Sequence, residues 1–129
     1  MNRPLIRIAL TSGLLILGGL VALLPLVAES AAPREIVIVA RQMAFRGENG
    51  SANPTVHVRV GERVRLIFVN EDAGFDHDFS IPGWSIGTST VRGAGRTSIE
   101  FQAPDRPGPA EYICSLHPTM MRGTIQVIE

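Results

Sequence analysis

The 129-residue chain contains no lysine and a single cysteine. Its 12 basic residues are all arginines, and 12 acidic residues balance them to a formal net charge of zero. Phosphate recognition needs a basic surplus, so a nucleic-acid partner is excluded on charge. One cysteine cannot form a disulfide within the chain, so packing and a bound metal are the remaining sources of stability. Aromatic residues are scarce, at 5%. No stretch beyond residue 33 carries a sustained apolar repeat of 3.6, which removes the helical-bundle classes. Internal repeats and low-complexity segments are also missing. A chain of this length makes one domain rather than two.

What is present is unevenly placed. Residues 8–28, IALTSGLLILGGLVALLPLVA, carry no charge, and Arg3 and Arg7 stand before them. A run of roughly 20 apolar residues spans a bilayer as a helix. A cleaved signal has a shorter apolar core, about 7–15 residues, followed by small residues; Ala28 and Ser30 supply a weak site of that kind. Anchor and signal both stand as readings. Either one exports the rest of the chain and leaves the arginines on the cytoplasmic side. Residues 1–32 are therefore expected to form an apolar helix and a short linker. Residues 33–129 form the domain, held at the cell membrane or free at its periplasmic or extracellular face.

That domain is patterned with a period of two. REIVIVAR (34–41), TVHVRV (55–60), RVRLIFVN (63–70), HDFSI (77–81), RTSIEF (96–101), AEYIC (110–114) and GTIQVIE (123–129) each place apolar residues on one face. Between them lie turn signals such as Gly61-Glu62, Pro82-Gly83 and Pro107-Gly108-Pro109. Short strands separated by turns predict an all-β domain: two antiparallel sheets packed as a Greek-key sandwich.

The chemistry is concentrated in CSLHPTMMRG, residues 114–123. A lone cysteine is most often a small buried hydrophobe, and C-x2-H alone is a weak signal. Methionines and a glycine follow here, just before a terminal strand, and that combination is stronger. One thiolate, two imidazoles and a weak axial thioether are the donors of an electron-transferring copper site. Cys114 and His117 share one loop. The second imidazole must come from elsewhere. His77 shares the core-facing side of its strand with Phe79 and Ile81, whereas His57 alternates with three valines and should face water, so His77 is the choice. Met43 and Trp84 read as packing residues.

These residues resemble the cupredoxins, the blue-copper family that includes plastocyanin, amicyanin, pseudoazurin and azurin. The likeness covers residues 34–129. MAF with VHVRVGERVRLIFVNED is similar to the family's second and third strands, HDFSI to the strand bearing its first histidine ligand, and YICSLHPTMMRGTIQVI to its ligand loop and last strand. The resemblance implies one copper ion cycling between Cu(I) and Cu(II), held by His77, Cys114 and His117. Met120 completes the amicyanin spacing, C-x2-H-x2-M. Met121 completes H-x3-M as in azurin, with Gly123 as the anchor, and is preferred as the axial ligand. Asp78 stands where many members have an asparagine that braces the loop. The resemblance also implies a monomeric electron carrier rather than an enzyme. Its partner would be a redox protein such as a cytochrome or membrane oxidase, docked on an apolar patch to which Pro118 and Met120 contribute. A copper carrier or storage protein without electron transfer is the alternative.

Overall fold

The computed structural model describes residues 32–129. The apolar run of residues 8–28, and with it the expected N-terminal helix, lies outside the described residues. Among the described residues no helix is long and apolar enough to cross a membrane.

The strands are β1 (Arg34–Arg41), β2 (Ala44–Arg46), β3 (Val56–Arg59), β4 (Arg63–Asn70), β5 (Ser80–Ile81), β6 (Ile86–Gly87), β7 (Gly95–Gln102), β8 (Gly108–Ile113) and β9 (Arg122–Ile128). A single 3-10 turn, Pro82–Trp84, joins β5 to β6. One sheet has the order β2-β1-β4-β7 and the other β3-β9-β8-β5-β6. Each of the seven alternating segments carries a strand, and the described residues are all-β.

The sheets are mixed rather than antiparallel, which corrects the sequence expectation. β1 runs parallel to β4, and β3 runs parallel to β9. A parallel pair needs a crossover. Here the chain leaves β1, turns back along it as β2, crosses to the other sheet as β3, and only then returns as β4. Alternation within single strands carries no sign of such pairings between distant segments.

The alternation does set what is buried. Ile36, Ile38 and Ala40 of β1, Val64, Leu66 and Phe68 of β4, and Ile125 and Val127 of β9 all face the interior. A buried aliphatic or aromatic side chain contributes about 1.5–3 kcal/mol. Phe45, Phe68, Phe79 and Tyr112 are gathered at one place between the sheets. Phe45 meets Phe68, Phe79 and Tyr112 edge-on, with centroids at 6.1, 5.6 and 5.3 Å. Phe79 stacks on Tyr112 at 5.0 Å. Edge-to-face pairs of this kind add about 0.5–1.5 kcal/mol beyond their burial.

Glu62 ties the two sheets together at the end remote from this cluster. Arg34 Nε, at the start of β1, donates to Glu62 Oε1 at 2.6 Å. The Arg59 N–H, at the end of β3, donates to Glu62 Oε2 at 2.7 Å. Burial by itself would raise the Glu62 carboxyl, but the hydrogen bonds from Arg34 and Arg59 outweigh it and hold the group below its ordinary range. A carboxylate whose folded pKa is depressed adds stability above its unfolded pKa and loses it as pH falls through the folded value. The Glu62→Gln variant is therefore expected to unfold at lower urea concentration than wild type at pH 7. The gap between the two should close as the medium is acidified below about pH 4. Urea midpoints measured across that range check both the sign and the window.

Candidate metal centre

Three ligand-bearing side chains converge at one end of the sandwich. His77, Cys114 and His117 place their donor atoms all within 4.8 Å of one another. Cys114 Sγ lies 3.7 Å from His77 Nδ1 and 3.7 Å from His117 Nδ1. The two rings stand 4.9 Å apart at 64°. Cys114 and His77 are fully buried, and His117 is half-buried.

Local hydrogen bonding explains how the chain presents them. Cys114 follows the last residue of β8, and the loop turns back at once: the His117 N–H donates to the Cys114 carbonyl at 3.1 Å. Met120 and Met121 N–H groups both donate to the His117 carbonyl, at 3.2 and 3.0 Å. The Cys114 N–H then donates to the Met121 carbonyl at 2.9 Å, closing the loop into β9. Met121 is buried and Met120 is exposed, so the two adjacent thioethers have opposite environments.

His77 does not open a regular strand, as the alternation of HDFSI suggested. It makes an isolated bridge with Val91, and β5 begins only at Ser80. The Phe79 N–H is taken by the Thr88 side chain, at Oγ1 and 3.0 Å, rather than by a ladder carbonyl.

The backbone N–H groups of Asp78, Leu116 and His117 lie near the sulfur. Burial pushes the Cys114 thiol above its ordinary pKa, those N–H groups pull it down, and the Asp78 charge adds to the rise. Asp78 is where the sequence placed it, beside the first histidine, and its Oδ1 accepts the Ser115 N–H at 2.6 Å. The carboxylate thus ties the His77 segment to the Cys114 loop.

His57 faces solvent on β3, away from the cluster. Trp84 packs against Phe101, with centroids 6.0 Å apart. Three residues, at the end of β4 and in the loop after it, escaped sequence reasoning. Asp72 Oδ2 lies 3.1 Å from His77 Nε2. Phe75 stacks on the His77 ring and meets the His117 ring edge-on, each with centroids at 6.4 Å. Buried Asn70 holds the loop by donating to the Phe75 carbonyl at 2.7 Å and the Val91 carbonyl at 3.2 Å. The segment is NEDAGFD, residues 70–76. Its run of side chains that bond readily to nearby backbone was the available sign of a templated loop.

Asp72 also explains a hairpin that no turn signal announced. Gln42 and Met43 join β1 to β2 with φ of 54° and 55°. A two-residue loop with both φ positive favours Asn-Gly, and left-handed backbone costs about 1–2 kcal/mol for an ordinary residue. The Gln42 N–H donates to Asp72 Oδ1 at 2.7 Å, and the Met43 N–H to Asp72 Oδ2 at 3.1 Å. Charge-assisted bonds of about 1.5–3 kcal/mol each are large enough to offset that strain. Burial would raise the Asp72 carboxyl, but the Met43 and Gln42 N–H groups and the His77 ring outweigh it and lower its pKa.

No family model matches the sequence, and no curated protein matches it. The fold has clear counterparts among solved structures. Auracyanin A, a blue copper protein from the green thermophilic photosynthetic bacterium Chloroflexus aurantiacus, superposes with a TM-score of 0.58 at 18% identity, over 75% of this chain and 100% of that one. Reduced rusticyanin gives 0.58 at 22% identity, over 77% and 81%. A chain of a heme-copper terminal oxidase dimer gives 0.58 at 18% identity, over 74% and 65%. The chain has the cupredoxin fold. One thiol and two imidazoles within reach of a single ion, with no second cysteine, form a donor set that fits one copper ion of type 1.

Gly123 frames the end of the ligand loop. It lies opposite Tyr112 in the β8–β9 register, and the Tyr112 ring covers the space a Cβ would occupy. The ring is held there by its hydroxyl, which donates to the Pro54 carbonyl at 2.5 Å. The Gly123→Ala variant is expected to lose about 1–3 kcal/mol, because neither the ring nor the strand backbone has room to move. Equilibrium denaturation of the metal-free protein measures this directly.

Proposed function

We propose that the protein is a single-electron carrier built around one copper ion. The observation that carries this reading is the pairing of a buried Cys114–His77 half-site with a half-buried His117. An electron has a way out through the His117 ring, whereas a substrate has no way in to the sulfur. The reading is therefore of a carrier rather than an enzyme.

His77 Nδ1, Cys114 Sγ and His117 Nδ1 would hold the ion, and the buried Met121 thioether would supply the fourth, weak donor. Copper, when bound, supplies a centre that accepts and returns one electron. The protein's own part is to keep these donors in one arrangement in both oxidation states. The Cys114–Met121 backbone bond that closes the loop, the Asp78–Ser115 bond and the Asp72–His77 contact all oppose rearrangement.

Around His117 the surface is apolar. Phe75 is 52% exposed, Leu116 50% and Met120 56%. We read this face, with Pro118, as the contact for a redox partner such as a cytochrome or membrane oxidase. Redox encounters are typically small and short-lived. The likeness to a chain of a heme-copper oxidase supports an oxidase as one such partner. The uncharged run of residues 8–28 supports a place on the exported side of a membrane, with the domain tethered there or released. The adjacent, exposed Met120 thioether favours a second reading, copper handling, since soft donors suit Cu(I).

Titration of the full chain with Cu(II), followed by visible absorption and EPR, is expected to give an intense thiolate-to-copper band with narrow copper hyperfine splitting. Cys114→Ser should abolish both. Met121→Leu should shift the reduction potential, while Met120→Leu should leave the spectrum as it is. Pale, ordinary Cu(II) spectra, or immediate reduction with Cu(I) retained, would move the protein to copper handling.

A further inference from the structure

We propose that Asp72 is a positioning residue of the copper site: its carboxylate fixes the His77 ring and sets how strongly that ring donates. This rests on the copper reading above.

The geometry at His77 is complementary at its two nitrogens. Nδ1 faces the Cys114 sulfur at 3.7 Å, and Nε2 lies 3.1 Å from Asp72 Oδ2. A carboxylate that already takes the N–H groups of Gln42 and Met43 is acting as an acceptor. The hydrogen of a neutral His77 ring therefore sits on Nε2, and the lone pair of Nδ1 is turned toward the site. A metal-bound histidine whose far nitrogen donates to a carboxylate is both oriented and made more basic.

A second, independent observation is the effort made to hold Asp72 still. Its own N–H donates to Asn70 Oδ1 at 2.9 Å. Asn70 is itself buried and fixed to the Phe75 and Val91 carbonyls. On the other side, two consecutive non-glycine residues adopt left-handed backbone, and both direct their N–H groups at this one carboxylate. Strained backbone that converges on one acidic group marks a functional constraint rather than a packing one. The β1–β2 hairpin, the end of β4 and the first histidine ligand thus meet at a single side chain.

The consequence for the site has a definite sign. A more basic His77 favours Cu(II) over Cu(I), so Asp72 lowers the reduction potential.

The test uses the full chain in two backgrounds. Asp72→Asn alone removes support from the hairpin as well as from His77. In a Gln42→Asn/Met43→Gly background the turn has the residues it favours and stands without the carboxylate. There, Asp72→Asn reads on His77. In the metal-free protein at alkaline pH, where imidazoles are neutral, nitrogen NMR should find His77 as the Nε2–H tautomer, and Asp72→Asn should lose that fixed preference. In the copper-loaded protein, Asp72→Asn should lower affinity about 10–100-fold. Cu(II) should lose more than Cu(I), each tenfold difference appearing as a rise of about 59 mV in potential. Asp72→Glu should recover part of the lost affinity. An Nδ1–H tautomer in the unsubstituted protein, or an unchanged tautomer and potential in Asp72→Asn, overturns the assignment. If the unsubstituted chain forms no blue site, the function proposed above fails, and the metal-free tautomer still decides the role of Asp72.

Discussion

A buried sulfur faced by two imidazoles is the contact on which most of this end of the protein depends. The two rings come from separate parts of the chain, His77 before β5 and His117 after β8. Bringing them together ties the His77 segment to the Cys114 loop, through Asp78 Oδ1 and the Ser115 N–H. It also requires the ligand loop to leave β8 and re-enter β9 within a few residues. That return is possible because Gly123 leaves space for the Tyr112 ring.

The surroundings grade from fixed to open across a short distance. On the inner side, Phe45, Phe68, Phe79 and Tyr112 form a rigid aromatic floor. On the outer side, Phe75 lies against both histidine rings while half of its own surface meets solvent. Water is thus kept from His77 by a side chain that is itself part of the surface. An apolar cover of this kind keeps the local dielectric low, which strengthens every electrostatic contact beneath it.

Much of this was legible in the residues. The period-two alternation located seven of the nine strands among the described residues, because burial on one sheet face leaves a direct trace in sequence. Cys114, His117 and the two methionines stood out because they share one short loop, and His77 because its strand parity turned it inward. What was not legible depends on contacts between distant segments. The parallel pairings of β1 with β4 and β3 with β9 leave no mark on either strand alone. The Gln42-Met43 hairpin violates the usual turn preference and forms only because Asp72, 30 residues further on, caps it. Asp72 itself looked like one more polar residue in a loop. Its importance lies in what it touches, and spacing does not encode that.

The parallel pairing of β3 with β9 also governs when this protein can exist as a folded object. Residues 56–59 find their ladder only with residues 125–128, at the far end of the chain. Contacts so distant in sequence slow folding, since a long loop must close before they form. β9 is also the strand that joins β3 to the rest of the second sheet, and it follows immediately on the ligand loop. The loop is closed only when β8 and β9 have paired. A chain without β9 therefore offers no preformed trap for stray metal.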